Sequence, residues 1–429
     1  MAERHKVVIV GGGFGGLAAA QTLRRVDVDV TLIDRRNFHL FQPLLYQVAT
    51  GGLSPANIAA PLRSILRKNK NCRVILGEVT GFDIPGRAVL LDSERIPFDS
   101  LIIAAGATNN YFGKPEWETV APGLKTIEDA TEIRRRILTA FEAAERFPNP
   151  EDRSRYMTFV VVGGGATGVE LAGAIGELAR HTLRNDFRTL DPSKDRLILV
   201  EGSNRLLQAY PEKLAKKAQQ ALERRFGVEV WTSSKVRDIQ PDHVKVERDG
   251  KTERIETATV IWGAGVKASP LGKLIAEATG AQMDRGGRVI VQPDLTLPGH
   301  PNIYVIGDMS AAKSNGEPVP GVAQGALQEG NFAAKAIRKR LAGQTDVGKF
   351  VYWDKGSMAT IGRNAAVAQI GWLKLSGFIA WLAWLFVHIM YLVNFTNRVL
   401  VLLQWFYSYL TRNRSARLIT GENCVIRQP

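Results

Sequence analysis

The stretch VVVGGGATGVELAG, residues 160–173, decides how this chain is read, because VVIVGGGFGGLAAA at residues 7–20 has already spelled the same turn. Each begins with a β-branched run, as a parallel strand buried on both faces requires. Each passes through GxGxxG, with Gly11, Gly13 and Gly16 in the first copy and Gly163, Gly165 and Gly168 in the second. Each then continues as a helix rich in small residues. Glycine is needed at the three places for different reasons. The first permits the tight turn, the second lets a pyrophosphate reach the backbone, and the third lets helix pack on strand. The pyrophosphate lies against the free N–H groups of the helix N-terminus.

Working outward, DVDVTLIDRR is the next strand after the first turn and ends in Asp34, 18 residues past Gly16. An acid there accepts hydrogen bonds from adenosine ribose hydroxyls. After the second turn, RLILVEG ends in Glu201, 33 residues past Gly168, with the polar segment RHTLRNDFRTLDPSKD filling the extra length. Glu201 is read as the equivalent ribose ligand. A carboxylate repels the 2′-phosphate of NADPH, so NADH is favoured, while Arg205 keeps NADPH open. Two dinucleotide-binding folds in one chain imply that two dinucleotides meet, one resident and one visiting.

Composition narrows the chemistry. The 429 residues suffice for two or three domains, and a 45% hydrophobic content is ordinary for a globular chain. Lys and Arg outnumber Asp and Glu by 56 to 42, a net charge of +14 that attracts anions: nucleic acid, anionic lipid or a nucleotide cofactor. The only cysteines are Cys72 and Cys424, so a dithiol/disulfide centre is excluded. The six histidines show no metal-ligand spacing along a helix, and no metal is expected. The start MAERHKVVIVGGG is a strand, its apolar run being too short for a signal peptide.

Three further stretches carry a resemblance. FDSLIIAAGAT (98–108) runs into a turn at Gly106, ATVIWGAGV (258–266) into one at Gly265, and HPNIYVIGDMSAA (300–312) into Gly307-Asp308. Together with the N-terminal GxGxxG they resemble the two-dinucleotide-binding-domain flavoproteins, in which the late Asp binds the ribityl chain of FAD. Asp308 matches that position. Within that family the chain most resembles the type II, non-proton-pumping NADH:quinone oxidoreductases. FHLFQPLLYQVATGGLSP (38–55), GGGATGVELAG (163–173), VIWGAGV (260–266) and VPGVAQGALQEG (319–330) carry the match, the last resembling the family's quinone-proximal AQxAxQ motif.

The resemblance implies FAD as cofactor, NADH as donor, a membrane quinone as acceptor and no nucleic acid partner. It implies that Glu170 lies near the nicotinamide–flavin contact; the plainer alternative is a first-turn acid complementing the helix dipole. Gln324 and Gln328 are i,i+4 on one helix face, suited to hydrogen-bonding a quinone carbonyl or simply to facing solvent.

The expected fold class is α/β: two Rossmann-like dinucleotide-binding domains and a C-terminal amphipathic-helix region that anchors to a membrane. Expected boundaries are 1–113 and 276–342 for the FAD domain, 114–154 for a connecting helical segment starting near Glu128–Asp129, 155–275 for the NADH domain and 343–429 for the C-terminal region. From Leu375 to Asn397 no Lys, Arg, Asp or Glu occurs, so one membrane span is arithmetically open. His388 interrupts the run, however. In the next segment Asn397, Gln404, Ser408, Thr411 and Ser415 form one polar face, as in a helix lying in the membrane interface. Lys374, Arg398, Arg412, Arg414 and Arg417 are expected to meet an anionic lipid surface on the cytoplasmic side. A homodimer interface is the alternative use of the apolar face. Rival functions are a reductase with a soluble acceptor, such as a ferredoxin or rubredoxin reductase, and an NADH-sensing flavoprotein without turnover.

Overall fold

The computed structural model describes residues 3–421, so Cys424 lies outside the described residues. Packing groups the chain into two units. The first comprises Met1–Leu40, Ala59–Thr108 and Val266–Lys355; the second comprises Phe41–Ile58, Asn109–Gly265 and Gly356–Pro429.

The first unit is built on a six-stranded sheet in the order Thr296–Leu297, His300–Val305, Ser100–Ile103, His5–Val10, Val28–Asp34, Cys72–Leu76. All pairings are parallel except the first, which is an antiparallel edge. The VVIV run is at most 3% exposed, as expected of a central strand covered on both faces. On one face lie the helices Phe14–Thr22 and Ala323–Leu341. Gly15 and Gly330 let them touch, since a Cβ on Gly330 would come within 2.1 Å of Gly15 O. A second apolar cluster joins Val8, Val10 and Ile103 of the sheet to Phe82 and Val89 of a small antiparallel sheet and to Ile275.

The second unit repeats the plan in shorter form. Its four-stranded parallel sheet has the order Glu229–Trp231, Arg196–Val200, Thr158–Val162, Thr259–Trp262. The helix Ala166–Glu177 runs into a π-helical turn, Leu178–Thr182, and this turn with the following loop absorbs the long insertion before Glu201. The connecting helix is Ile127–Arg146, and a reciprocal capping box between Thr126 and Asp129 sets its start.

The unit ends in an antiparallel sheet (Ser357–Thr360, Ala366–Ile370, Leu373–Gly377) and two helices, Phe378–Tyr391 and Phe395–Thr411. Among the described residues no helix is long and apolar enough to cross a membrane. The amphipathicity of the tail is inverted relative to a soluble helix. Asn397 is buried, donating to Ala56 O, and Gln404 and Ser408 are part-buried, whereas Phe386, Leu403, Phe406 and Leu410 face outward, each at least 59% exposed.

Three of the five tail cations depart from the expectation that they meet lipid. Arg414 is buried, paired with Glu177 and donating to Thr50 O and Ala174 O. Arg417 pairs with Asp186, and Arg398 donates to Leu392 O. Backbone carbonyls and acids of the same unit outcompete water for these guanidinium groups, leaving Lys374 and Arg412 exposed.

Candidate active site

The first glycine-rich turn is locked by contacts that only glycine permits. Gly11 has φ +103°, and a Cβ there would come within 2.4 Å of Ala104 O. A Cβ on Gly16 would reach 1.8 Å from Gly11 O, so helix and strand are in backbone contact. The N–H of Gly12 donates to Asp34 Oδ2 at 2.5 Å, and the N–H of Arg36 donates to Oδ1 of the same acid at 2.7 Å. Gly13 forms the N-cap of Phe14–Thr22 without any side-chain cap or first-turn acid, and a Cβ on it would meet nothing within 4 Å. The result is an open surface lined by helix N–H groups.

The second turn reproduces these contacts. Gly163 has φ +106° and abuts Ala264 N, where a Cβ would come within 2.7 Å; a Cβ on Gly168 would come within 1.8 Å of Gly163 O; Gly165 is an uncapped, open N-cap. The N–H of Gly164 donates to Glu201 Oε2 at 2.5 Å, and Ser203 N–H donates to Oε1 at 2.7 Å. Despite its longer insertion, Glu201 therefore arrives where Asp34 does. Gly106 and Gly265 occupy matching turns, each three residues beyond the strand on the far side of its glycine-rich strand. Arg205 donates to Tyr210 O and Gln208 O and is tied to its own loop.

Glu170 is the fifth residue of Ala166–Glu177, past the first turn, so the helix-dipole alternative does not apply. It accepts the N–H of Thr360 at 3.4 Å, and burial pushes its pKa up to about 8. Its negative charge, when present, acts on the Tyr46 and Tyr210 hydroxyls. Tyr46 in turn accepts from Gln47, whose Oε1 accepts the indole N–H of Trp405 in the second tail helix.

Gly307 and Asp308 form a short 3₁₀ turn at the end of His300–Val305. Gln324 and Gln328 share a face of Ala323–Leu341 and use their amides on one segment. Gln324 Oε1 accepts Lys355 N–H at 3.0 Å. Gln328 accepts from Trp353 N–H and donates to Trp353 O, both at 2.9 Å.

Two residues that sequence reasoning did not single out stand in the first unit. His39 is 2% exposed and packs edge-on to Phe14, and its Nδ1 donates to Gly12 O at 2.9 Å. Glu329, also 2% exposed, accepts the N–H of Gly307 at 2.5 Å. Both sit inside the stretches FHLFQP and LQEG. For His39 the signal available was an ionisable residue between Phe38 and Leu40, which marks burial with a polar task, whereas Glu329, between Gln328 and Gly330, carried no such signal.

The pyridine nucleotide-disulphide oxidoreductase family model matches residues 5–330, and that for the NDH2 C-terminal domain matches residues 354–413. The chain is 50% identical to the type II NADH:quinone oxidoreductase NdhA of Mycobacterium tuberculosis over 98% of this chain and 90% of that protein. It is 48% identical to the Ndh enzyme of the same organism over 99% and 92%. The structure of NDH2 from Plasmodium falciparum in complex with NADH superposes with a TM-score of 0.87 at 21% identity, covering 98% of this chain and all of that one, and shares its fold. Identity to half the residues of a relative along nearly the whole chain, with both family models matched, means that the chain belongs to the type II NADH:quinone oxidoreductases.

Proposed function

We propose that the chain is a peripheral membrane flavoenzyme with FAD resident in the first unit and NADH visiting the second. Oxidation of NADH by quinone, without proton pumping, follows from its family. The observation that carries the two-dinucleotide reading is the paired turn, in which an acid at the strand tip holds the N–H of Gly12 or Gly164 and leaves the helix N-terminus free.

The first unit fits FAD: the space above Gly13 and Gly106 would be filled by any side chain, and the uncapped N–H groups suit a pyrophosphate. When bound, FAD accepts a hydride and passes on two electrons. Asp34 is assigned to the adenosine ribose and Asp308 to the ribityl chain. Glu201 is assigned to the ribose of NADH, and Arg205 is tied to its own loop rather than turned toward a 2′-phosphate. Glu170, neutral below about pH 8, is assigned to orienting the nicotinamide without placing a charge beside it. Gln324 and Gln328 shape the quinone side by holding residues 353–355.

The outward Phe, Leu and Ile side chains of the two tail helices form an exposed apolar surface that suits the membrane interface, with Lys374 and Arg412 available to anionic head groups on the cytoplasmic face. This surface disfavours a purely soluble acceptor. A homodimer through part of it remains compatible with membrane binding.

Three measurements test the reading. The purified chain should carry FAD. Anaerobic NADH should bleach it rapidly, which a non-catalytic sensor would not allow. The chain should float with anionic liposomes and lose that property when Leu403 and Phe406 are replaced by Ser; undiminished flotation would refute the tail assignment.

A further inference from the structure

Resting on the flavin reading above, we propose that Glu329 is a positioning residue of the flavin site, holding the Gly307–Asp308 turn in the shape that receives the ribityl chain. Gly307 lies one residue past the strand His300–Val305 with φ +72°, and whereas Ile306 N–H still bonds to Ile103 O of the neighbouring strand, the Gly307 N–H bonds to a side chain. That N–H donates to Glu329 Oε2 at 2.5 Å. A Cβ on Gly307 would already touch Ala326, so one face of the helix Ala323–Leu341 supplies both the acceptor and the wall against which the turn rests.

The helix itself cannot slide. Gly330, the next residue, is in backbone contact with Gly15, and Asn331 accepts from Thr22 Oγ1 at 2.7 Å. The carboxyl of Glu329 is therefore fixed relative to the first glycine-rich helix, and through Gly307 it fixes Asp308 relative to that helix as well. Two parts of one binding surface, distant in sequence, are thereby held in register. Asp34 and Glu201 treat Gly12 and Gly164 in the same way, from strand tips rather than from a helix.

Burial alone would not retain an acid here, because an uncompensated buried anion is costly. Burial, the hydrogen bond and the adjacent Asp308 charge leave the carboxyl with a pKa of about 8, so at neutral pH it is a neutral acceptor. A neutral amide of the same length should therefore do the same work.

The test uses the full-length chain, stripped of flavin and titrated with FAD by fluorescence. Glu329→Gln, which keeps a carbonyl acceptor, should bind within roughly 3-fold of the native chain. Glu329→Leu strands the Gly307 N–H and should bind roughly 10- to 100-fold more weakly, with a shifted flavin absorption band. In an Asp308→Ala background the Leu substitution should add little, because Glu329 acts through Asp308. Native affinity in a folded Leu variant would overturn the proposal. So would a Gln variant as weak as the Leu one, a measurement that stands even if the Leu variant does not fold. Additive losses in the double variant would also overturn it. A native chain that binds no FAD would overturn the flavin reading, and this inference with it.

Discussion

In the first unit the N–H of Gly12 donates to Asp34, and in the second the N–H of Gly164 donates to Glu201, at 2.5 Å in both. The carbonyls of the same glycines are treated differently. Gly12 O accepts from the buried ring of His39, whereas Gly164 O accepts from the backbone N–H of Leu207. The sheets differ as well. Beyond Ser100–Ile103 the first continues into His300–Val305 and the Gly307–Asp308 turn, while the second ends at Thr259–Trp262. A buried side chain behind Gly12 and an added strand give the first unit's turn more fixed surroundings than the second's. That suits a cofactor that stays, and a turn finished by backbone alone suits one that must leave each cycle.

The largest effect should come from filling the backbone contacts. Gly16→Ala and Gly168→Ala each force a Cβ to 1.8 Å from a carbonyl oxygen, so the turn must open. The strain of about 3 kcal/mol or more corresponds to over roughly 100-fold in affinity. Gly16→Ala should lose bound flavin, while Gly168→Ala should keep its flavin and lose NADH-driven bleaching. Flavin loss in the second variant would erase the division of labour between the units.

Next in size is coenzyme choice. Glu201→Arg removes the acceptor for Gly164 and Ser203 and places a cation near the ribose, so efficiency with NADH should fall roughly 5- to 100-fold. The NADPH:NADH ratio of kcat/KM should rise roughly tenfold. Asp34→Asn should leave that ratio unchanged. A shift caused by Asp34→Asn would mean that the visiting site has been assigned to the wrong unit.

Much of this was legible in the chain because the turn chemistry is local. Gly11, Gly13, Gly16 and their counterparts are dictated by φ, by backbone approach and by helix packing within a few residues. At Glu201 the spacing departs from that of Asp34 because an insertion of helix and loop left the register of the strands intact: Val162 pairs with Val200 as Val10 pairs with Ile33. Side-chain partners across long separations were not legible. Nothing in the sequence couples Arg414 to Glu177, Glu329 to Gly307 or Gln328 to Trp353. For the same reason the polar face of the last helix could be found by its period, but not the fact that Asn397, Gln404 and Ser408 turn inward while Thr411, at the helix end, and Ser415, beyond it, stay exposed.

Each unit also carries one buried carboxyl with a pKa near 8, Glu329 in the first and Glu170 in the second. A raised folded-state value stabilises fully below the unfolded value near 4.5, and that stability is lost as pH rises through about 8. The midpoint of thermal unfolding should therefore decline across that window. Glu170→Gln should flatten the decline by a few degrees, as read by scanning unfolding from pH 5 to 9. A variant whose midpoint tracks the native one throughout would show that Glu170 is solvated.

The smallest effect expected is at Gln324 and Gln328, and it separates the two half-reactions. Their amides hold Trp353 and Lys355, which lie exposed at the end of the first unit's last segment. Water can replace such bonds, so each is worth only about 0.5–1.5 kcal/mol, or roughly 2- to 12-fold in rate if residues 353–355 border the quinone. Gln328 holds both the N–H and the carbonyl of Trp353, and Gln324 accepts from Lys355 N–H and reaches Asp354 at 3.5 Å. Both glutamines bond within the first unit, whereas the second glycine turn belongs to the second, and bleaching by NADH in stopped flow should barely change. Reoxidation by quinone should slow in Gln324→Ala and in Gln328→Ala. If bleaching and reoxidation fall together, the glutamines support the flavin site itself, and the acceptor meets the enzyme on another face.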